Sequence, residues 1–491
     1  MTDHIRSIGA LLCAALAAGC TLGPNFQRPA APASGYTRAL AAANAARGIN
    51  YGADMADDWY RLFQSAPLNQ LVHQALAGNH DLAAARHGLL AAQYELKAVA
   101  GTQLPQLDLG GQIGRARING SFLYAPVDYL EVTGNRWELG PTLAYNLDPF
   151  GGIRREVEQQ RAVTAVARDQ ALNTYVTLVD QTVLTAFDYA ATQAQIDVTQ
   201  QLVAELQSQY DLTHTLENAG KIIRSDTLQA QAQLENLRAT LPGLLQQRDT
   251  YRNALAQLCG QTPDEFSVPA LSLRDFALPR QLPVSLPAAL VRQRPDVLAA
   301  EDTLHQASAA IGVAEAARLP SLSISAQYAQ QSTALNEFLT SPAAIWSAGL
   351  NASAPLFHGG SLAARQHEAE ERYQQSLASY RSTVVAALVE VANALQALQH
   401  DAESYDAHGQ ALAAARADRD LALQQYQAGK YTELQVLTAE QQYQQAALTQ
   451  VQADVQRFTD TAALFRALGG GWWNATTDPA ALGAAAGDKN G

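Results

Sequence analysis

Residues 137–156, WELGPTLAYNLDPFGGIRRE, recur in altered form as residues 346–365, WSAGLNASAPLFHGGSLAAR. Each copy has a tryptophan, an alternating apolar and polar run, and then a phenylalanine and a glycine pair before a helical pattern. Two flanking stretches repeat as well: NAGKIIRSDTLQAQAQL (218–234) matches QAGKYTELQVLTAEQQY (427–443), and GTQLPQLDLGGQ (101–112) matches AARLPSLSISAQ (316–327). The chain is therefore an internal duplication, with a first repeat at 58–258 and a second at 288–468.

Each repeat contains two stretches in which apolar and polar residues alternate, as expected for strands. They lie at about 106–118, 136–148, 320–331 and 344–357. In the first stretch Leu107, Leu109 and Ile113 fall on one face, whereas Asp108 and Gln112 fall on the other. Strands of about ten residues with one apolar face are typical of a membrane barrel with lipid outside and water inside. A soluble, half-buried sheet has the same alternation, so the pattern alone leaves both structures open.

Two very long helical patterns without proline follow the strands, at about 152–218 and about 360–428. Their apolar residues step by three and four, as in coiled-coil seams. These residues are Leu172, Val176, Val179, Val183 and Phe187 in the first pattern, and Val384, Leu388, Val391, Leu395 and Leu398 in the second. A helix of this length reaches roughly 100 Å. Each pattern ends at an Ala-Gly-Lys turn and returns as a second helix, at about 223–258 and about 432–468, and Pro242 predicts a break in the first return.

Four strands cannot close a membrane barrel, because about eight are needed before the interior fits even side chains. An open sheet edge is not tolerated in lipid, since its backbone groups lack hydrogen-bond partners there. If these strands span a membrane, several chains must therefore share one barrel. This geometric reasoning does not fix the number of chains.

The first twenty residues, MTDHIRSIGALLCAALAAGC, predict export. A weakly basic start precedes an apolar core from Ile8 to Ala18, which is too short to span a membrane but suits a secretory signal. The small residues before Cys20 resemble a bacterial lipobox. We therefore expect residues 1–19 to be removed and Cys20 to carry a diacylglycerol and an N-acyl lipid, at the head of a lipidated N-terminal segment at 20–57.

The composition argues against several other classes of protein. Charged residues make up 16% of the chain and the net charge is −13, which disfavours nucleic-acid binding. No run of eighteen or more apolar residues follows the signal, so we expect no membrane-spanning helix. With Cys13 in the signal and Cys20 lipidated, Cys259 stands alone and is expected to be a small buried residue. A proline-rich linker is predicted at 259–287 and a flexible tail at 469–491.

No motif in the sequence points to catalysis or to a metal site. The Ala-Gly-Lys turns lack the first glycine of a phosphate-binding loop, and HEAEE (367–371) lacks the second histidine of a zinc-protease motif. The nucleophile motif G-x-S-x-G does not occur, and histidine and cysteine are not clustered at the spacing of metal ligands. We therefore expect a protein that is not an enzyme and that holds no metal or cofactor.

Several blocks of the sequence resemble the outer-membrane factors, which are TolC-like efflux channels, and specifically their lipoprotein branch, the NodT type. The blocks are CTLGPNFQRP (20–29), LPGLLQQRDTYRNALAQLCGQTPDE (241–265), RPDVLAAEDTLHQASAAIGVAEAARLPSLSIS (294–325) and QYQAGKYTELQVLTAEQ (425–441). They are specific in order and spacing, and the resemblance covers nearly the whole mature chain.

The resemblance implies a mixed α and β membrane protein. In the implied homotrimer, each chain gives four strands to a twelve-stranded outer-membrane barrel, which is continuous with a long periplasmic helical coiled-coil barrel. The implied function is an outer-membrane channel that passively conducts drugs or other small molecules from a periplasmic adaptor and an inner-membrane pump of the resistance-nodulation-division type. Two alternatives stay open. A type I-like protein secretion channel shares the fold, and a periplasmic coiled-coil tether lipoprotein would leave the strands unexplained.

The resemblance also assigns roles to the Ala-Gly-Lys turns. Gly220, Lys221, Gly429 and Lys430 match adaptor contacts, where glycine permits a tight turn and close approach. The same glycines suit left-handed helix caps, and the two roles are compatible.

A periplasmic gate is implied beside these turns. Its positions in this chain are Ser225, Asp226, Tyr426, Glu433, Gln435 and Thr438. Tyr426 matches a gate tyrosine tied to an acid at Asp226, with a solvated polar pair as the alternative. Gln435 and Thr438 stand where some family members carry a ring of aspartates, so an ion-selective ring is in doubt here. Glu433 lies nearby in the sequence, and we expect it to replace part of the missing charge.

Overall fold

A computed structural model describes residues 21–30, 49–119, 131–285 and 287–480. The predicted signal sequence and Cys20 lie outside the described residues, as do residues 481–491 of the predicted tail. The described part consists of long helices and a small number of strands, with short 3-10 turns in the connections.

The described residues contain nine α-helices and six strands. The strands are β1 (Ile49–Tyr51), β2 (Gln106–Asn119), β3 (Glu131–Leu147), β4 (Leu282–Val284), β5 (Ser321–Ser332) and β6 (Ala344–Ser353). The helices are α1 (Ala66–Gly78), α2 (His80–Gly101), α3 (Gly152–Asn218), α4 (Arg224–Arg238), α5 (Leu241–Leu258), α6 (Pro287–Gln293), α7 (Pro295–Ala316), α8 (Ser361–Gln427) and α9 (Glu433–Ala467).

The chain divides into two compact units, each assembled from three segments. The strand unit comprises residues 1–29, 90–166 and 300–380, and the helical unit comprises residues 30–89, 167–299 and 381–491. Each unit takes residues from both sequence repeats. The repeats are therefore units of duplication rather than separately packed domains.

The strand unit contains one antiparallel sheet of order β2-β3-β5-β6. Each strand overlaps a predicted one, but two ends differ: β3 begins at Glu131, five residues before the predicted start at 136, and β6 was expected to reach 357 and stops at Ser353. Pro355 has no backbone N–H to donate to a ladder, so residues 354–357 leave the sheet. The short strands β1 and β4 pair in parallel in the helical unit.

The long helices follow the expected seams. Helices α3 and α8 contain 67 residues each, and α3 ends at Asn218, at the predicted turn. The first return is broken between α4 and α5, and Pro242 lies in the first turn of α5, where a missing N–H costs no hydrogen bond. The break predicted at Pro242 is thus confirmed.

Among the described residues, helix α8 contains a stretch that is long and apolar enough to cross a membrane, by length and composition alone. Its seam residues Val384, Val391 and Leu395 are buried by packing within the helical unit.

Aromatic packing stabilises the core of the helical unit. Six buried rings contact one another at centroid separations between 4.9 and 6.3 Å, and they belong to Trp59, Phe63, Phe187, Phe276, Phe458 and Phe465. Such ring pairs stabilise a core beyond their area of burial. Cys259 is buried in the same unit, and burial raises the pKa of its thiol to about 11. The prediction of a small buried cysteine is confirmed.

The prediction of a flexible tail is wrong for residues 469–480. Gly469, Gly470 and Gly471 all have positive φ and turn the chain back onto the helical unit. Behind this turn the Trp472 indole N–H donates to the carbonyl oxygen of Gln293 at 2.7 Å, and the Trp473 indole N–H donates to Asp54 at 2.8 Å. These contacts order the tail, because they satisfy donors that would otherwise be lost on burial.

We expect Gly471→Ala to lower the free energy of unfolding by about 2 kcal/mol or more. The measurement is the melting temperature of the detergent-solubilised protein, which should fall. Gly471 has φ 71°, and a Cβ there would lie 2.2 Å from the carbonyl oxygen of Ala56. The matched control is Gly243→Ala, in the first turn of α5, where an added Cβ meets nothing within 4 Å. Equal melting temperatures for the two variants would contradict the structural role of Gly471.

Candidate functional site

The register of the sheet in the strand unit sorts its side chains into two faces. Leu109 pairs with Pro141, Tyr145 with Ile324, and Ile324 in turn with Leu350, so the apolar positions of all four strands share one face. The polar positions share the other face, where the Gln327 amide donates to Glu138 at 2.8 Å and the Asn351 amide donates to Ser325 at 3.0 Å.

The apolar face is exposed. Leu107, Leu109 and Ile113 are 71%, 74% and 71% exposed, and Trp346 and Leu350 are 77% and 66% exposed. A soluble half-buried sheet would cover this face with its own core, whereas a membrane-spanning sheet leaves it to lipid. The exposure decides between the two structures in favour of the membrane sheet.

The sheet also has two unpaired edges. Among the described residues, strands β2 and β6 each pair on one side only. In hydrocarbon such edges leave backbone N–H and C=O groups unsatisfied, at a cost of several kcal/mol each. Both edges are satisfied only if further copies of the chain continue the sheet into a closed barrel.

The two Ala-Gly-Lys turns of the helical unit have the same backbone. Gly220 and Gly429 have φ of 71° and 72°. The Lys221 N–H donates to the carbonyl oxygen of Leu216 at 2.9 Å, and the Lys430 N–H donates to that of Gln425 at 2.8 Å, which are the hydrogen bonds of a Schellman cap. The glycines are therefore helix caps, and both lysines are exposed.

Glu433, at the first residue of α9, is the acid that lies beside Tyr426. Its carboxylate accepts hydrogen bonds from the Gln209 amide at 3.0 and 3.3 Å, and its side chain is buried, with 3% of the residue exposed. Burial raises the pKa of Glu433, as does the nearby charge of Asp226, whereas the contacts with Gln209 and Tyr426 lower it. Contrary to the expectation from the sequence, Glu433 is therefore part of the packing between helices and is not an exposed substitute for a ring of charges.

Tyr426 contacts a different acid from the one predicted. Its hydroxyl is buried and makes no hydrogen bond of standard geometry with the described residues of this chain, including Asp226. Burial, together with the adjacent Glu433 carboxylate and the more distant Asp226, raises the pKa of Tyr426. Asp226 is partly buried and Ser225 is exposed. Within the chain, Tyr426 therefore lies beside Glu433 and does not form the predicted interaction with Asp226.

Gln435 and Thr438 are both exposed on the first turns of α9. The Gln435 side-chain oxygen accepts from the backbone N–H of Thr432 at 2.8 Å and from its hydroxyl at 3.2 Å, which caps the start of the helix. The Thr438 hydroxyl donates to the carbonyl oxygen of Leu434 at 2.7 Å. The structure therefore places two uncharged side chains at these positions and gives one of them a capping role.

The segment that follows Cys20 is held by one buried arginine of the strand unit. Arg155 Nε donates to the carbonyl oxygen of Leu22 at 2.8 Å, and its Nη2 donates to Gly23 at 3.1 Å and to the Asn25 side chain at 2.9 Å. Glu158 neutralises the guanidinium at 2.6 Å. Arg155 thus fixes the path of the chain immediately after the predicted lipidation position.

Further contacts hold the same segment. The Phe26 ring stacks on the His305 ring with centroids 4.4 Å apart, and Arg28 forms an ion pair with the buried Glu301. Gly23 and Gly312 touch so closely that a Cβ at residue 23 would lie 2.5 Å from the Cα of Gly312. We refer to these contacts, with those of Arg155, as the N-terminal clamp.

A family model described as "Outer membrane efflux protein" matches residues 71–261 and 286–470, more than half of the chain. The chain belongs to the outer membrane efflux protein family. A curated relative, the "Pyoverdine export outer membrane protein OpmQ" of Pseudomonas putida, is 28% identical over 84% of this chain and 88% of its own length. The "Cation efflux system protein CusC" of Escherichia coli is 26% identical over 94% of this chain and 98% of its own.

A solved structure of the outer-membrane channel OprN matches with a TM-score of 0.84 and 30% identity, over 92% of this chain and 100% of that one. This outer membrane efflux protein therefore has the fold of the trimeric outer-membrane channels, as the sequence predicted. It is an outer-membrane component of an efflux system. Three copies with four strands each satisfy the closure requirement of the sheet.

Sequence reasoning missed a second polar cluster, near the predicted gate positions of this efflux protein. Arg419 pairs with Glu205 at 2.6 Å and lies over the Tyr443 ring at 4.2 Å. Glu440 is buried nearby, and burial raises its pKa while the charge of Arg419 lowers it. The partners are far apart in the sequence, so no local spacing could have revealed them. The N-terminal clamp was missed for the same reason.

We expect Glu433→Gln to remove a pH dependence of the helix turns. Because the pKa of Glu433 is raised above its ordinary value of 4.5, the folded state holds a proton that the unfolded state has already lost. The packing is therefore most stable below pH 4.5 and weakens as the pH rises toward the raised pKa. In that window the opening equilibrium should grow by up to about tenfold for each rise of one in pH. Hydrogen exchange of amides 425–440, corrected for intrinsic rates, measures this.

The control for this experiment is Glu235→Gln, which changes a carboxylate that is exposed on α4. It should leave the pH dependence of exchange as in the unmodified protein. The assignment to Glu433 fails if Glu433→Gln shows the same pH dependence as Glu235→Gln.

We expect Arg155→Ala to release the N-terminal clamp. The change removes three hydrogen bonds from Arg155 to residues 22–25 and leaves Glu158 without its guanidinium partner. Amide exchange in residues 21–28 should accelerate by about tenfold or more, without loss of the trimer. Arg161→Ala, at an exposed position of the same helix, is the matched control. Unchanged exchange in Arg155→Ala would show that the segment is held without this residue.

Proposed function

We propose that three copies of this chain form a passive outer-membrane conduit for small solutes, which a periplasmic adaptor and an inner-membrane pump of the resistance-nodulation-division type deliver to it. The observation that carries the proposal is the two-faced sheet with both edges unpaired in a chain of the outer membrane efflux protein family. The pump supplies the energy and the conduit performs no catalytic step.

The polar face of the sheet supports a low chemical selectivity. Its side chains are mainly serine, glutamine and asparagine, with several glycines. Of its charged residues, Asp108, Arg136 and Glu138, the last two form an ion pair, and Glu138 also accepts a hydrogen bond from Gln327. Such a lining offers hydrogen bonds to many solutes and a strong field to none. The relatives named for pyoverdine export and for cation efflux are similar to this chain to nearly the same degree, 28% and 26% identity. We infer that the cargo is chosen upstream, by the pump.

The two Schellman turns form the adaptor contact in this proposal. Lys221 and Lys430 are exposed directly after the glycine caps, and the apolar side chains of Ile223 and Leu434 are 67% and 64% exposed close behind them in the sequence. Exposed apolar residues beside fixed charges are suited to a protein partner. The shared backbone geometry would present the two turns to the adaptor in equivalent ways.

The gate in this proposal comprises the predicted positions together with the cluster around Arg419. Tyr426 and Glu433 would hold the start of α9 against α3 through Gln209, while Asp226, Ser225, Gln435 and Thr438 contribute uncharged or partly exposed groups around them. Arg419 and Glu205 join α8 to α3 in the same way. Opening would require some of these contacts to break.

The N-terminal clamp supports a second role for the segment after Cys20. We propose that Cys20 carries the diacylglycerol and N-acyl lipid predicted from the sequence. In the clamp, the Leu22 N–H donates to the carbonyl oxygen of Phe150 at 3.1 Å, just before α3 begins. The lipid would therefore start close to the junction of β3 and α3. The barrel would carry the main attachment to the membrane and the lipid an auxiliary one.

We expect the double variant Lys221→Glu/Lys430→Glu to lose drug export while it keeps its trimer. Charge reversal at an exposed contact weakens the binding of a partner protein by about tenfold or more, and it leaves the packing within the chain unchanged. The measurement is drug susceptibility of a deletion strain complemented with each variant, together with binding of the purified adaptor to the purified channel.

The matched control is Lys97→Glu, which reverses an exposed charge on α2 of the strand unit. This variant should restore export like the unmodified chain. Full export and full adaptor binding by the double variant would overturn the adaptor contact. A deletion strain with unchanged susceptibility to all drugs tested would count against small-molecule efflux itself.

A further inference from the structure

The two open edges of the sheet have paired counterparts inside the chain. In the duplication β3 corresponds to β6, with an offset of 209 positions from Trp137 to Trp346, and β2 corresponds to β5, with an offset of 215 positions from Leu104 to Leu319. Within the strand unit β3 pairs with β5, whereas β6 and β2 have no second neighbour among the described residues. The structure therefore shows one pairing between the repeats and leaves the equivalent pairing, of β6 with β2, to another copy of the chain.

The exposure of equivalent side chains shows where this open pairing lies. Leu147 of β3 pairs with Leu322 of β5 in the last row before the helices, and both leucines are partly buried. Their counterparts are Leu356, which follows β6, and Leu107 of β2, and these are 95% and 71% exposed. A leucine pair that the chain covers in one place is therefore left uncovered at the two edges of the same sheet.

The helix ends next to this row differ in the same way. Gly152, at the start of α3, lies so close to the end of α7 that an added Cβ would be 3.0 Å from the Cβ of Ala316. The counterparts of these residues are Ser361, at the start of α8, and Gly101, at the end of α2. Ser361 is exposed, and a Cβ at Gly101 would meet nothing within 4 Å in the part of the chain that the structure describes. A contact between helix ends is thus also left open, within the same strand unit.

We propose that β6 of one copy pairs with β2 of the next copy in the register that β3 has with β5. This register places Leu356 against Leu107 of the next copy, and Ser361 against Gly101 of the next copy. Neighbouring strands alternate in direction, with β6 running toward the helices and β2 away from them, so the new pair is antiparallel like the other three. The inference rests on the shared barrel proposed above and adds which residues meet between copies.

The proposed register keeps both faces of the sheet continuous from one copy to the next. Ala144 pairs with Ser325 on the polar face, and their counterparts Ser353 and Gly110 would meet on that face as well. A slip of one residue would turn the apolar positions of the next copy toward water. A slip of two residues keeps the faces but moves the start of α8 about 7 Å along the end of α2. The contact between helix ends therefore selects one register among those that the faces allow.

The test is disulfide formation between copies in the trimer. On mild oxidation Leu356→Cys/Leu107→Cys should link each copy to the next, because antiparallel partners have Cα atoms about 4.5–5.5 Å apart, within the reach of a disulfide. Denaturing gel electrophoresis should show linked dimers and trimers at about tenfold or more the level in Leu356→Cys or Leu107→Cys alone. The single variants also account for the natural cysteines Cys20 and Cys259.

The matched control is Leu356→Cys/Leu109→Cys. Leu109 lies on the same face of β2 as Leu107 but about 7 Å further along the strand, so this variant should not link copies. Leu147→Cys/Leu322→Cys controls the oxidation, since it should form a disulfide within each chain and leave the copies unlinked.

Linking of the Leu109 control at the level of the proposed pair, or above it, would overturn the register. Trimers that stay unlinked in the proposed variant would overturn the contact and leave the shared barrel intact, whereas an unmodified chain that forms no trimer would overturn both. If the sheet variant does not assemble, Ser361→Cys/Gly101→Cys decides the question outside the sheet. Links between copies in that variant support the register, and their absence contradicts it.

Discussion

Backbone hydrogen bonding at the edges of the four-stranded sheet is the constraint on which the rest of the structure depends. In the part of the chain that the structure describes, strands β2 and β6 pair on one side only, and in lipid each unpaired group would cost several kcal/mol. Closure by further copies removes both edges at once. The apolar face then meets lipid and the polar face encloses water. A lone protomer in a membrane would satisfy neither condition, so trimer formation belongs to the folding of the sheet.

The duplication preserved what the backbone requires and let the side chains diverge. The two turns, 209 positions apart, keep glycine at Gly220 and Gly429 because a Schellman cap needs positive φ there. At the same offset, Asp226 corresponds to Gln435 and Arg224 corresponds to Glu433. The two turn regions therefore share a backbone geometry and differ in charge. The buried acid Glu433 belongs to the second repeat, and Gln209, which donates to it, belongs to the first repeat.

Local signals in the sequence predicted the elements they control. The prolines and glycines of the sequence predicted the break near Pro242 and the ends of α3 and α8, because these residues affect the backbone only within a few positions. Long-range contacts escaped prediction. The stretch after Gly469 reads as flexible because it is rich in small residues, yet its tryptophans reach Gln293 and Asp54. Likewise, the burial of Glu433 depends on Gln209, which only the packing of α3 against α9 brings close.

The burial of charge near the turns bears on how solutes enter. Glu433 and Glu440 are buried on α9, and the guanidinium of Arg419 is paired with Glu205 of α3. Charge-assisted hydrogen bonds of this kind contribute about 1.5–3 kcal/mol each, so these groups act mainly by holding helices together. The exposed positions on the first turns of α9 are uncharged. An entrance lined by these α9 positions would sort solutes by size and hydrogen bonding, because the α9 acids Glu433 and Glu440 are buried and do not face the solute.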